Sequence, residues 1–367
     1  MQLTLHLTSK CNLNCKYCFV ELGNERMSRE VAYAAVKLSM ENKKSSGLLF
    51  YGGEPLLERE LIYDIVDYTQ KIKAQTGHIF YYKITTNGTL LDEDFLKFSR
   101  DINMSVGFSH DGLAQDDCRL FHDGGGSFAL LEDKLKLLLE YQPYAAAMSV
   151  VDPSTASKAC ETVHFLFNKG FRYITLGLNY GGAWTQAKLD ILEREYKKMA
   201  ELYKKWTRAE HKFYLSPFEM KILSHLKGEK YNADRRKMSQ EQPSVAPDGK
   251  IYSSSRHVGN PAFIIGDVFS GIDAGKQRDI FIKGTPPDAC LECAILTRCN
   301  YAYDSLGSDE TGVVSAIAPV QCVHEQLITP IADDIAATLY KERNALFIHK
   351  HYNELYPVMS LAEDKKE

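Results

Sequence analysis

The sequence predicts an α/β fold: six strand–helix units arranged as an open barrel, followed by a smaller cysteine-bearing domain. Three observations lead there. Segments of strand composition alternate with segments of helical period through the first half of the 367 residues. Such alternation implies parallel strands joined by right-handed crossovers. Six units fall short of the eight that close a full barrel, so an open partial (β/α)6, TIM-like barrel is expected. The nine cysteines also cluster, three at 11–18 and four at 290–322, leaving only Cys118 and Cys160 apart.

Each unit has its own signals. The strand candidates are Leu3–Thr8, Leu48–Tyr51, Phe80–Thr86, Met104–Ser109, Ala145–Val151 and Tyr173–Tyr180. They are rich in β-branched, aromatic or aliphatic residues, and most are closed by Gly, Asn, Asp or Pro. Between them, helical periodicity covers Ser28–Lys43, Arg59–Gln75, Asp92–Ile102, Phe128–Tyr141 and Thr155–Lys169. Ser28, Asp92 and Ser127 are placed to cap helix starts, and Gly77 and Gly170 to end helices. This barrel occupies 1–185. Bridging helices follow over 186–230, with Leu189, Leu192, Tyr196 and Met199 on one stripe. A second domain is expected over 231–325, where Val245 to Tyr252 reads as a β-hairpin turning at Asp248-Gly249. A C-terminal helix, Ile331–His349, and a frayed charged end, Glu363–Glu367, complete 326–367.

Composition narrows the class. A net charge of −4 gives no reason to expect nucleic acid or an anionic membrane as partner. No apolar run reaches membrane-spanning length, and Met1 leads directly into a strand, leaving no room for a signal peptide. A cytoplasmic protein with reduced thiols is expected, so the cysteines point to metal or catalysis rather than disulfides.

Cys11, Cys15 and Cys18 form a Cys-x3-Cys-x2-Cys triplet directly after the first strand, and Gly52-Gly53-Glu54-Pro55 follows the second. Both would lie at the carboxyl ends of adjacent parallel strands, where such folds carry their chemistry. A cubane cluster has four irons, so three thiolates leave one iron open to a small molecule. Three unrelated thiols or a zinc knuckle are the alternatives. Zinc normally takes a fourth nearby ligand, and neither alternative accounts for the glycine loop.

The pairing of triplet and glycine loop resembles the radical S-adenosylmethionine superfamily. The resemblance implies that Cys11, Cys15 and Cys18 hold a [4Fe–4S] cluster whose open iron chelates S-adenosylmethionine, with the Gly52–Pro55 backbone binding the amino group. It implies that Tyr17 is the aromatic preceding the third cysteine. It also implies that Thr85-Thr86-Asn87-Gly88-Thr89 lines the cofactor pocket and that Ser109 and Asp111 lie beside the ribose. His110 stands between them where an aliphatic residue is commoner. Asn87, Ser109 and Asp111 are equally suited to be strand-end turn formers. Gly124-Gly125-Gly126-Ser127 lacks the Lys-Ser/Thr of a phosphate loop and reads as a helix-start turn.

The second group, Cys290-x2-Cys293-x5-Cys299 and then Cys322, resembles the SPASM or twitch extension of peptide-modifying members of that superfamily. The full pattern has further cysteines around the hairpin and four residues past Cys299. Here the position just after the hairpin falls in Ser253-Ser254-Ser255, most naturally Ser254, the one four past Cys299 is Tyr303, and no cysteine lies between Cys160 and Cys290. Two [4Fe–4S] clusters are therefore expected, the second on Cys290, Cys293, Cys299 and Cys322, with a structural zinc site as the alternative. Cys118, near the expected barrel mouth, is either a hydrogen donor to substrate or a small buried residue. Cys160 reads as core, and His349 and His351 as surface residues.

The resemblance implies an enzyme that generates a 5′-deoxyadenosyl radical and modifies a ribosomally made peptide, with a thioether or C–C crosslink favoured. Peptide epimerisation, formylglycine formation as in anaerobic sulfatase maturases, and an idle Fe–S scaffold or peptide-binding partner are the alternatives. A reductant such as flavodoxin or ferredoxin is implied. Because the triplet lies so near residue 1, leader recognition is expected to fall to a separate protein or to the C-terminal region.

Overall fold

The computed structural model describes residues 1–41, 44–216, 218–228, 242–282, 288–299 and 319–364. The chain runs β1 (Gln2–His6), β2 (Leu13–Cys15), α1 (Arg29–Met40), β3 (Ser45–Tyr51), α2 (Arg59–Thr76), β4 (Ile79–Thr86), α3 (Glu93–Asp101) and β5 (Ser105–Ser109). There follow α4 (Gln115–Cys118), β6 (Arg119–Phe121), α5 (Phe128–Tyr141), β7 (Ala146–Val151), α6 (Ala159–Asn168), β8 (Tyr173–Leu178), α7 (Gln186–Arg208) and β9 (Tyr214–Ser216). Helix α8 (218–228) leads on to β10 (Ser244–Val245), β11 (Lys250–Tyr252), β12 (Ile264–Asp267), β13 (Gly271–Ile272) and α9 (Ala274–Ile282). The C-terminal helices are α10 (Pro319–Lys341), α11 (Ala345–Tyr352) and α12 (Tyr356–Asp364).

One sheet threads the molecule in the order β13-β12-β11-β10-β1-β3-β4-β5-β7-β8-β9. The six expected strands, β1, β3, β4, β5, β7 and β8, are its continuous parallel centre. Among the described residues its two ends, β13 and β9, do not pair, so the barrel is open. Alternation along each strand sends Leu3, Leu5, Leu48, Phe50, Ile84, Val106, Phe108 and Ile174 into the core against the helices. The opposite face carries Thr4, His6, Tyr51, Lys83 and Thr85.

Three outer strands, β9, β12 and β13, escaped the sequence reading. β9 adds in parallel to β8. β10 adds in parallel to β1, with Thr4 opposite Ser244, and opens the antiparallel run β10–β13. The Asp248-Gly249 hairpin forms as expected, with Val245 opposite Ile251, but it extends the barrel sheet rather than standing apart.

Helix starts follow local chemistry. Ser28 accepts a bond from the Val31 N–H at 3.2 Å, and Asp92 one from Phe95 at 2.9 Å. Ser127 does not cap α5; its hydroxyl donates to the Arg119 carbonyl at 2.6 Å and accepts from Gln115. The long amphipathic α7 packs against α6 and α10. The expected single helix Ile331–His349 is two. Arg343 takes a left-handed φ of 54°, and Asn344 then caps α11 through the Phe347 N–H at 2.9 Å. The sequence boundary at residue 325 falls inside α10. His351 is not a surface residue: it is buried, 3.3 Å from the Tyr203 hydroxyl. Nor is the end frayed as far as Asp364, which accepts a bond from Tyr173 at 2.5 Å. Residues 365–367 lie outside the described residues.

Candidate functional site

The cysteine triplet, the glycine loop and the Thr85–Thr89 segment follow the carboxyl ends of β1, β3 and β4. The triplet loop is not a free coil. Its β2 portion pairs antiparallel with β6, placing Cys15 opposite Arg119, and the Lys16 N–H donates to the Cys118 carbonyl at 2.9 Å. The Cys11 carbonyl lies 2.9 Å from His122 Nε2.

The glycine loop is tied to the triplet loop through its backbone. The Gly53 N–H donates to Thr8 O at 2.8 Å and the Glu54 N–H to Lys10 O at 2.9 Å. A Cβ at Gly52, where φ is 133°, would lie 2.4 Å from Thr8 O, and one at Gly53 would lie 2.2 Å from Lys10 O. The two glycines are thus demanded by the approach of the cysteine loop itself. Glu54 is fully buried. Its carboxylate accepts bonds from Leu56 N at 3.0 Å, Thr86 Oγ1 at 2.7 Å and Asn87 N at 2.8 Å. It thereby locks the ends of β3 and β4 together. Burial pushes its pKa up to about 7 despite these donors. Pro55 opens the 3-10 turn Pro55–Glu58 behind it.

Asn87 reaches the triplet. Its Nδ2 lies 2.9 Å from Asn12 Oδ1 and 3.7 Å from Cys11 Sγ. Asp111 is nine-tenths and more enclosed and takes a bond at each oxygen. Oδ2 accepts from the Tyr17 hydroxyl and from Arg119 Nε at 3.0 Å, and Oδ1 accepts from Val150 N at 2.9 Å. The Arg119 guanidinium also lies over the Tyr17 ring, 5.3 Å from its centre. Asp111 therefore orients Tyr17 and Arg119 beside the cysteines. Ser109 ends β5 on the face opposite Phe108. His110 fills the aliphatic position as a neutral core residue, 5.8 Å from the Phe108 and Phe128 rings, with burial lowering its pKa to about 3. Cys118 is buried, its thiol pushed up to about 11 mainly by desolvation.

Arg119 is the residue the sequence reading passed over. Its only linear signal is its place beside Cys118, ten residues after Ser109. In the fold it bonds Asp111 and also lowers the pKa of Cys15 against the larger raising effect of burial.

The donor set fits a cluster. Burial raises Cys11 to about 12, and the neighbouring charges of Cys15 and Cys18 add to the rise, so the three thiols share one pocket. Thiolates form in such a pocket when a metal centre supplies positive charge.

The second set comes from two segments. Cys290 and Cys293 are linked by a turn in which the Cys293 N–H donates to Cys290 O at 3.0 Å. Cys322 lies on α10, its pKa raised first by burial and then by Cys290 and Cys293. Cys299 ends the short turn Leu296–Arg298. At the hairpin, the Ser253 and Ser254 hydroxyls lie 3.3 and 3.2 Å from His257 Nδ1, and His257 stacks on Phe263. A histidine–phenylalanine stack occupies the region where the fuller pattern has thiols. Tyr303 lies outside the described residues.

Residues 5–166 match the sequence model of the Radical SAM superfamily, and the cysteine triplet sits on this stretch at the strand ends. Those residues are a radical S-adenosylmethionine domain. Among curated proteins, the chain is similar to a cysteine-type anaerobic sulfatase-maturating enzyme of Clostridium novyi, 29% identical over 46% of this chain and 48% of that protein. It thus spans about half the length of that relative. A serine-type anaerobic sulfatase-maturating enzyme of Bacteroides thetaiotaomicron is 23% identical over 79% of each chain. The fold is similar to a solved structure described as native anSMEcpe with bound AdoMet and Cp18Cys peptide. The TM-score is 0.77 and the identity 19%, over 92% of this chain and 99% of that one. No described helix is long and apolar enough to cross a membrane.

Proposed function

We propose that this chain is a radical S-adenosylmethionine enzyme that modifies a residue of a peptide, forming a crosslink such as a thioether or C–C bond. The observation that carries the reading is the triplet loop locked by backbone bonds to the Gly52–Pro55 loop and, through Glu54, to Asn87. When bound, a [4Fe–4S] cluster and S-adenosylmethionine supply the radical chemistry. Cys11, Cys15 and Cys18 would hold the cluster. The Gly52–Pro55 backbone and Asn87 would receive the cofactor, Asp111 would fix Tyr17 and Arg119 against the triplet, and Ser109 would face the pocket. Cys290, Cys293, Cys299 and Cys322 would hold one auxiliary cluster. An electron donor such as a flavodoxin or ferredoxin, a cytoplasmic setting and a separate leader-binding protein belong to the same reading.

Formylglycine formation is the second reading, favoured by the likeness to sulfatase-maturating enzymes. The Ser253–Ser255 segment with His257 speaks for the crosslink, since it offers no thiol for a further cluster. Co-expression with a short peptide encoded beside the gene, followed by mass spectrometry, separates the two. Loss of two hydrogens with no aldehyde-reactive carbonyl is expected. A carbonyl that reacts with hydrazine reagents would overturn the crosslink in favour of formylglycine.

A further inference from the structure

We propose that Lys221 is the positioning residue of the second cysteine set, holding the loop of Cys290, Cys293 and Cys299 against the helix of Cys322. The inference rests on the reading that these four cysteines bind an iron–sulfur cluster.

Among the described residues, the loop buries little apolar surface. None of the residues in its two short turns, Asp288–Cys290 and Leu296–Arg298, is buried, and Leu291 is 62% exposed. Hydrophobic burial therefore does not fix where Cys299 stands. Polar contacts do. The Arg298 guanidinium grips Asp333 of α10 through two bonds, of 2.8 and 2.6 Å. It also reaches back to Lys221 O and Ser224 Oγ of α8, each at 3.3 Å.

Lys221 closes the arrangement. Its ammonium donates at 2.9 Å to the Arg298 carbonyl, the peptide group leading into Cys299, and pairs with Glu325. Glu325 lies three residues past Cys322, on the next turn of α10. One ammonium thus connects the peptide of one ligand to the helical turn of another. It can do so firmly because α8 is anchored by Phe218 and Ile222, both fully buried.

Stability alone does not explain this choice. The Lys221 and Glu325 side chains are 1% and 2% exposed. A buried ion pair of this kind is often matched or bettered in stability by apolar residues of similar volume. Apolar residues could not bond the Arg298 carbonyl. Supporting bonds of this type around metal ligands are typically worth 10–100-fold in metal retention.

The test uses the full chain with Cys11, Cys15 and Cys18 replaced by alanine, so that only the second set takes iron on anaerobic reconstitution. Lys221→Met and the paired Lys221→Met/Glu325→Leu are compared with this parent. The readouts are iron per chain, the electron paramagnetic resonance signal after reduction, and the rate of iron loss to a chelator. The paired variant removes the clamp without leaving a lone buried charge, and so decides the matter if the single variant fails to fold. It is expected to keep the parent's urea midpoint yet lose iron about tenfold faster. Iron loss within about twofold of the parent would overturn the clamp while leaving the cluster reading intact. A parent that takes up no iron would instead overturn the cluster reading, and the proposal with it.

Discussion

Asp111 and Glu54 are both at most 1% exposed, yet they stabilise the site in different ways. Asp111 faces Arg119, whose side chain is 9% exposed, at 3.0 Å. Removing one member of such a pair leaves the other buried without compensation. Asp111→Asn should therefore destabilise the iron-free protein by about 3 kcal/mol in urea titrations; a loss below about 1 kcal/mol would contradict the assignment. Glu54 faces three neutral donors and no cation, so burial dominates and its pKa rises to about 7. The glycine beside it makes a sharper prediction. A methyl at Gly53 meets the Lys10 carbonyl at 2.2 Å, and backbone cannot yield as a flexible side chain can. Gly53→Ala should reduce the iron bound by the triplet while the second set still loads; unchanged total iron per chain would refute it. The triplet, the glycine loop and Asn87 were legible as motifs because each lies within a few residues of a strand end. Arg119 was not, because its importance comes from Asp111 and Tyr17, which only folding brings beside it. What the sequence did not show is why glycine stands there: the close approach of the cysteine loop requires the missing side chains.

The six central strand–helix units could be read because each repeats its period over many residues. β9, β12 and β13 could not. They are three, four and two residues long, too short for any alternation to register, and the pairing of the hairpin strand β10 with β1 joins residues far apart in sequence. The break between α10 and α11 was missed because apolar periodicity continues across it; Asn344 was the available signal. Its side chain satisfies the Phe347 N–H, so Asn344→Ala should lower stability by about 1 kcal/mol. Iron binding at both cysteine sets should stay at the parental level. A loss of iron in that variant would mean that α11 supports the site, contrary to its place beyond the Lys221–Glu325 clamp. The same element-scale view explains Cys118: at the end of α4 it is buried, and its carbonyl accepts a bond from the Lys16 N–H of the triplet loop at 2.9 Å.

Across the whole molecule, buried histidines decide the response to acid. Desolvation lowers His6 to about 4, His110 to about 3, His324 to about 3 and His351 to about 4. The unfolded chain takes up protons at these positions below about pH 6.5 while the folded chain does not, so stability is full above that pH and falls toward pH 4. Glu54 acts in the opposite sense, since its raised pKa lets the folded state gain a proton first as pH falls from about 7. Four groups oppose one. A net loss of roughly 4 kcal/mol is expected on moving from about pH 7.5 to about pH 5.5, measured by urea unfolding of the iron-free protein; a midpoint that rises on acidification would contradict it. The open sheet gathers the triplet, the Gly52–Pro55 loop, Asn87 and Asp111 at one end, while α8 and α10 frame the second cysteine set. That convergence is the reason for proposing radical chemistry for this chain. It is tested most directly by incubating the anaerobically reconstituted protein with S-adenosylmethionine and a strong reductant and quantifying 5′-deoxyadenosine. Formation of 5′-deoxyadenosine by the parent, and its absence when Cys11, Cys15 and Cys18 are alanine, is the expected result. A parent with full iron that forms none, or a triplet variant that forms as much, would contradict the account.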